Sequence, residues 1–202
     1  MKRLDFKAGA LLGPLPAVLV TVGDADNPNV LTVAWTGILS TSPPRLYISV
    51  RPSRHSYKYL KERGEFVVNV PSAAMARATD YAGTYTGAKV DKFKKCSFTK
   101  IASKEVSSPT IKECPIALEC RVFQVIESGT HDIFLADILN VSCNEDIVDK
   151  DGKICYEKAG LLAYAHGEYF ALGKKIGRFG FSTDKKKKAP KKRSEKGDGN
   201  KK

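Results

Sequence analysis

Residues 29–64 read NVLTVAWTGILSTSPPRLYISVRPSRHSYKYLKERG, and the rest of the chain is organised around them. Residues 29–36 alternate. Leu31, Val33 and Trp35 fall on one face and Val30, Thr32, Ala34 and Thr36 on the other, the two-residue period of a half-buried strand. The second face is mostly small or hydroxylated, which suits a flat group lying against it. Ser42-Pro43-Pro44 breaks the chain, because proline donates no ladder hydrogen bond. Residues 46–50 are rich in β-branched and aromatic side chains and predict a second strand. Arg51-Pro52-Ser53-Arg54-His55-Ser56 then stands where a strand gives way to a helix, with Ser53 as the expected N-cap, Tyr57 and Leu60 as an apolar edge and Gly64 as the C′ stop. A helix start exposes unpaired N–H groups and the positive end of the dipole, which favours an anion. Arg51, Arg54, His55, Ser53 and Ser56 add donors, so the segment reads as a phosphate site; a solvated basic surface is the plainer alternative.

Outward from this stretch, residues 17–23 are an apolar, β-branched strand, joined by the turn cluster Asp24-Ala25-Asp26-Asn27-Pro28 to residues 29–36 as a hairpin. EFVVNV at 65–70 is a buried-looking strand, and Pro71-Ser72 opens a second helix over 73–81. Residues 83–90 form a loop of glycines and threonines leading to Asp91-Lys92-Phe93. Residues 97–102 suggest a short strand. Residues 115–127 and 133–141 form a long antiparallel pair around the turn at 127–132. Residues 156–165 leave helix and strand both open, 168–173 suggest a last strand, and 174–182 read as a structured tail over the body of the domain. Many short strands with few helices argue for a barrel or sandwich, and no G-x-G-x-x-G follows a strand to support a Rossmann domain.

The 202 residues fit one domain with a substantial core, or at most two small ones. There is no run of 18 apolar residues to span a membrane. Residues 8–22 are apolar behind Lys2, Arg3 and Lys7, but Gly13, Pro14 and Pro16 interrupt them and they run straight into a strand, so a signal-peptide reading is rejected. Five cysteines, an odd number with no Cys-x-x-Cys spacing, argue against a disulfide framework or zinc site and for a reducing cytoplasm. The net charge of +12 is uneven: residues 184–202 hold ten Lys or Arg against three acidic residues. That stretch has almost no apolar content and is expected to be a disordered tail beyond a domain of residues 1–183. A solubilising role is favoured for it over a loose electrostatic contact with nucleic acid, an anionic membrane or an acidic redox partner.

NVLTVAWTG, TSPP, YISVRPSRHSYKYL and EFVVNV, followed by VDKF at 90–93, GTHDIFLADILNV at 129–141 and YFALGKKIGRFGFS at 169–182, resemble the flavin reductase-like family and, within it, the flavoredoxins. The resemblance runs over roughly residues 5–182 in order. It implies a mainly β protein, an FMN-binding split β-barrel of Greek-key-like topology that works as a homodimer. By resemblance, the strand carrying Asn29, Thr32, Trp35 and Thr36 contacts the flavin, although a tryptophan on a strand also serves simply as core packing. Ser40, Ser49 and Arg51 would line the ring or ribityl chain, or merely cap turns. Arg54, His55 and Ser56 would take the phosphate, for which an arginine fork is well shaped. Lys92 would sit near the ring and favour its anionic reduced form. His131 stands in Gly-Thr-His where NAD(P)H-dependent relatives often show Gly-Asp-His, so Thr130 leaves nicotinamide binding open. The functional expectation is a flavoredoxin-like electron carrier or reductase fed by a redox partner protein or by NADH or NADPH. The alternatives are an NAD(P)H:flavin oxidoreductase that releases reduced flavin, and a binding module using the basic tail on nucleic acid.

Overall fold

The computed structural model describes residues 1–183. In chain order its elements are β1 (Leu15–Pro16), β2 (Val18–Val22), β3 (Asn29–Val33), β4 (Thr36–Thr41), β5 (Pro44–Val50), α1 (Tyr57–Arg63), β6 (Glu65–Val70), α2 (Ala76–Thr84), α3 (Lys92–Lys95), β7 (Lys100–Ile101), β8 (Thr110–Ile111), β9 (Ile116–Ser128), β10 (His131–Cys143), α4 (Tyr156–Ala159), β11 (Leu162–Ala165) and β12 (Glu168–Ala171). A seven-stranded antiparallel sheet runs β3-β2-β6-β9-β10-β5-β4, and its two end strands, β3 and β4, are joined by residues 34 and 35 alone, so the sheet must curl to bring them together. This is the mainly β split barrel that the sequence predicts. Register shifts between β9 and β10 bend the long hairpin around the barrel.

The barrel interior is filled by alternate residues of each strand, among them Val20, Leu31, Ile48, Phe66, Cys120 and Phe134. Outside, α2 and α3 lay Ala82 and Phe93 over Leu19 and Val30, covering β2 and β3. On the other half of the sheet Ala159 of α4 packs on Ile116 at the start of β9, while Ile38 and Leu39 of β4, Phe123 of β9 and Val141 of β10 are exposed. A three-stranded sheet, β1-β11-β12, stands beside the barrel and joins the two ends of the chain.

The structure moves several boundaries. The strand expected over 29–36 ends at Val33; Thr36 already belongs to β4, and the interruption swings Trp35 out of the core face shared by Leu31 and Val33, leaving it 39% exposed. The expected break at Ser42-Pro43-Pro44 is the turn of the β4–β5 hairpin at Ser42 and Pro43, with Pro44 already in β5. The first helix begins at Tyr57 with Ser56, not Ser53, at the N-cap, because residues 51–56 are taken up by turns in which Arg54 N–H bonds Arg51 O and Tyr57 N–H bonds Arg54 O. Gly64 does end that helix, with φ 64° and its N–H on Leu60 O. The helix expected over 73–81 is a short 3₁₀ turn (Ala73–Met75) followed by α2, and the strand at 97–102 shrinks to β7. Residues 174–182 do not lie over the barrel; Ile176 and Phe179 are almost wholly exposed. The tail expected at 184–202 lies outside the described residues.

Candidate functional site

Residues 51–56 fold down onto the start of β3. Ser56 is fully buried, and its Oγ accepts a hydrogen bond from Asn29 Nδ2 at 2.7 Å. The serine hydroxyl keeps its own proton to donate. From the other side, the loop after α2 reaches Asn29: a Cβ on Gly87 would stand 2.2 Å from Asn29 Oδ1, so only glycine allows that approach. Arg54 Nη1 holds the same loop by donating to Gly83 O at 3.1 Å. Beneath it, Lys92 is buried and donates to Val30 O at 2.8 Å and Ala82 O at 2.6 Å, pinning α3 between β3 and the end of α2. Burial without a carboxylate partner, with Arg54 adding repulsion, pushes the Lys92 amine down to about 8. An ammonium has three donors, so one remains after the two carbonyls. These groups enclose a cleft of about 340 Å³ lined by Asn29, Thr32, Arg51, Ser53, Arg54, His55, Ser56, Lys92 and the loop 82–87. Burial, with repulsion from Lys58 and Lys92, lowers the pKa of His55.

A second cleft, of about 410 Å³, continues from the first and shares Leu31, Thr32, Arg51 and Arg54 with it. Its walls are Val33, Ala34 and Trp35, the β5 residues Ser49 and Val50, His131 and Tyr164. Trp35 and His131 are in ring contact at 4.4 Å between centroids. Arg51 Nε donates to His131 Nε2 at 3.4 Å, and Thr130 Oγ1 lies 2.9 Å from His131 Nδ1. A guanidinium can only donate, so Nε2 is the acceptor nitrogen and Nδ1 carries the proton toward Thr130. Burial, with the charges of Arg51 and Arg54, lowers the pKa of His131 and favours this neutral form.

The profile of the flavin reductase like domain matches residues 13–173. The chain belongs to the flavin reductase-like family. A solved member similar to it, the flavoredoxin of Desulfovibrio vulgaris (Miyazaki F), is 31% identical with a TM-score of 0.85, covering 91% of this chain and all of that one. An uncharacterized protein of Archaeoglobus fulgidus is 42% identical over 142 residues, 70% of this chain and 78% of that protein. The FMN reductase (NADH) RutF of Serratia proteamaculans is 25% identical over 147 residues, 72% of this chain and 81% of that protein.

For a flavin reductase-like domain the two clefts have fitting chemistry. The first offers cationic and hydroxyl donors, and the glycine approach at residue 87 leaves room beside them; the second offers flat apolar and aromatic walls. Of the residues expected from the sequence, Asn29, Arg54, His55, Ser56 and Lys92 line the first cleft, Trp35, Ser49 and His131 the second, and Thr32 and Arg51 both. Lys92 lines the first cleft and not the second. Thr36 and Ser40 line neither cleft: the Thr36 hydroxyl donates to Tyr47 O, and Ser40 sits opposite Arg45 toward the β4–β5 turn. Of the β3 face expected to receive a flat group, Val30 is buried under the helices and Thr32 Oγ1 bonds Thr79 O, while Thr32 and Ala34 line the clefts. Sequence reasoning missed the lining role of residues 83–87 and of Tyr164. The glycines and threonines at 83–87 were a visible signal; Tyr164 stands in a stretch without a clear period.

Proposed function

We propose that this chain binds FMN along the groove, phosphate in the cleft of Arg54, Ser56 and Lys92 and ring system in the cleft of Trp35, Ser49 and His131, and that it passes electrons through the bound flavin. The observation that carries this reading is the junction of the two clefts at Leu31, Thr32, Arg51 and Arg54: a cationic pocket with buried donors opens directly into a flat-walled one. The flavin supplies the redox chemistry, and the protein supplies binding, orientation and field. Arg54 and Lys92 attract a phosphate and Ser56 offers it a short hydroxyl donor. Arg51 stands at the junction, where its charge favours negative charge on either side. Neutral His131 holds Arg51 and Trp35 in place without adding a cation of its own at pH 7.

The domain of residues 1–183 would work as a homodimer through the exposed apolar residues of β4, β9 and β10, exchanging electrons with a redox partner protein. No helix among the described residues is long and apolar enough to cross a membrane, and five free cysteines suit a reducing cytoplasm. The relative named as an NADH-dependent FMN reductase supports a second reading, in which NADH or NADPH reduces flavin that then leaves. Titrating purified protein with FMN while following flavin absorbance and fluorescence tests the first reading: saturable one-to-one binding is expected, and a protein that neither carries nor takes up FMN refutes it. Steady-state NADH or NADPH oxidation with free FMN separates the readings, since turnover favours the reductase and its absence, with FMN bound, favours the carrier.

A further inference from the structure

The segment that carries the cationic donors is tied at both ends to two consecutive residues of β10. At its near end Arg51 Nε reaches His131 Nε2 at 3.4 Å, on the side of the ring cleft. At its far end the hydroxyl of Tyr57, the first residue of α1, donates to Asp132 Oδ2. Neighbouring residues of a strand point to opposite faces, so His131 and Asp132 hold residues 51–57 from the two faces of β10. Asp132 alternates with Phe134 and Ala136 on the barrel-facing side and is 7% exposed. A carboxylate buried there needs a strong donor, and the Tyr57 hydroxyl meets it. The same bond pushes that hydroxyl up to about 12, so it stays protonated at neutral pH and keeps donating. The Tyr57 ring stands edge-on to the buried Phe134 at 5.6 Å, which seats it against the core.

We propose that Asp132 and Tyr57 are a positioning pair for the cationic end of the groove, their bond holding Arg54, His55 and Ser56 where a phosphate is received. This rests on the reading of the groove as an FMN site. Residues 51–56 are turns, with Arg54 N–H on Arg51 O and Tyr57 N–H on Arg54 O, and belong to no strand or helix that would stiffen them. Fixed at Arg51 alone, such a segment swings about one end. Fixed at Tyr57 as well, it has little freedom left to lose when an anion binds. Neither Tyr57 nor Asp132 lines either cleft, so the pair acts through the residues between its ties and not by contact with the ligand.

The test uses the full chain and titrates it with FMN and with riboflavin, which lacks the phosphate. Tyr57→Phe leaves a buried carboxylate without its donor; the double variant Tyr57→Phe, Asp132→Leu removes both partners and serves where the single variant unfolds. In the folded variants FMN affinity is expected to fall roughly 3- to 10-fold, and riboflavin affinity by less than about twofold. Hydrogen exchange at the Arg54 and Tyr57 amides should quicken in the ligand-free protein. Asp132→Asn keeps an acceptor for Tyr57 and should retain the preference for FMN. A pair that merely stabilises the fold lowers the melting temperature and leaves the FMN-to-riboflavin ratio at its wild-type value, and that result in the folded double variant overturns the proposal while FMN binding stands. An Asp132→Asn variant that loses the preference as fully as the double variant assigns the effect to charge and also overturns it. A wild type that takes up neither ligand removes the flavin reading, and the positioning role with it.

Discussion

The two ends of the groove are built on opposite plans. At the cationic end the polar groups are already held by the protein: buried Ser56 accepts from Asn29, buried Lys92 donates to two backbone carbonyls, and the exposed Arg54 is tied to Gly83. At the aromatic end Trp35 is 39% exposed and held chiefly by His131, and the walls are open. Buried donors already held in place lose little freedom when an anion arrives, whereas an exposed ring gains its contacts only when something covers it. Affinity should therefore reside at the cationic end and the redox environment at the aromatic end.

The largest expected effect is at Lys92. Lys92→Met removes a charge-assisted donor at a buried position, for which about 1.5–3 kcal/mol is typical, so FMN affinity should fall roughly 10- to 100-fold. The fold should survive: the Val30 and Ala82 carbonyls lose a donor, but an ammonium no longer has to be buried. Fluorescence titration with FMN and riboflavin in parallel measures this, and riboflavin, lacking the phosphate, should be nearly indifferent. An equal loss for both ligands would place Lys92 beside the ring, as the resemblance alone implied, and break the division of labour. Arg54→Ala should show the same preference for FMN at roughly tenfold, since its guanidinium is exposed and surface pairs are weaker.

How far the sequence revealed this division depends on how local each signal was. The β2–β3 hairpin, the stop at Gly64 and the long β9–β10 pair follow from turn residues and two-residue periodicity, which act over a few positions. Arg54 to Ser56 were legible because they are contiguous. Lys92 was legible as a residue, but which cleft it lines depends on α3 packing under β3, through Phe93 on Val30, a contact some sixty residues away in the chain. Trp35 alternates with Leu31 and Val33 as if it were core, and only the break after Val33 turns it outward. Residues 83–87 join the site because α2 delivers them across β3, and nothing within the segment encodes that. Residues 174–182 were misread for a related reason: their apolar side chains signal burial, yet Ile176 and Phe179 are exposed.

A pH titration sharpens the contrast further because two effects at one residue carry opposite signs. Lys92 titrates near 8 in the fold against 10.5 when unfolded. Between those values the unfolded chain keeps a proton that the ligand-free folded chain has released, so stability of the ligand-free protein should rise with pH across that window. FMN affinity should move the other way, falling as pH climbs past 8 and the ammonium facing the phosphate is lost. Thermal melts and FMN titrations at pH 7 and 9.5 measure both slopes, and in Lys92→Met both should flatten. Parallel slopes would mean that Lys92 titrates without sensing the ligand.

The smallest effect on affinity is expected at Trp35, which is also the chain's single tryptophan and so reports on the aromatic end alone. Trp35→Phe keeps an aromatic face and removes the larger ring. Since aromatic pairs are worth roughly 0.5–1.5 kcal/mol beyond their area, the loss in FMN affinity should stay within about tenfold, below that of Lys92→Met. In the wild type, FMN should quench tryptophan emission as the ring system settles beside Trp35, whereas inorganic phosphate, confined to the cationic end, should leave emission unchanged while competing with FMN. Arg51 links the two ends through His131, so His131→Ala should loosen Trp35 and red-shift its emission in the free protein with little change in FMN affinity. A Trp35→Phe loss exceeding that of Lys92→Met would reverse the assignment, making the aromatic end the anchor and the cationic end the accessory.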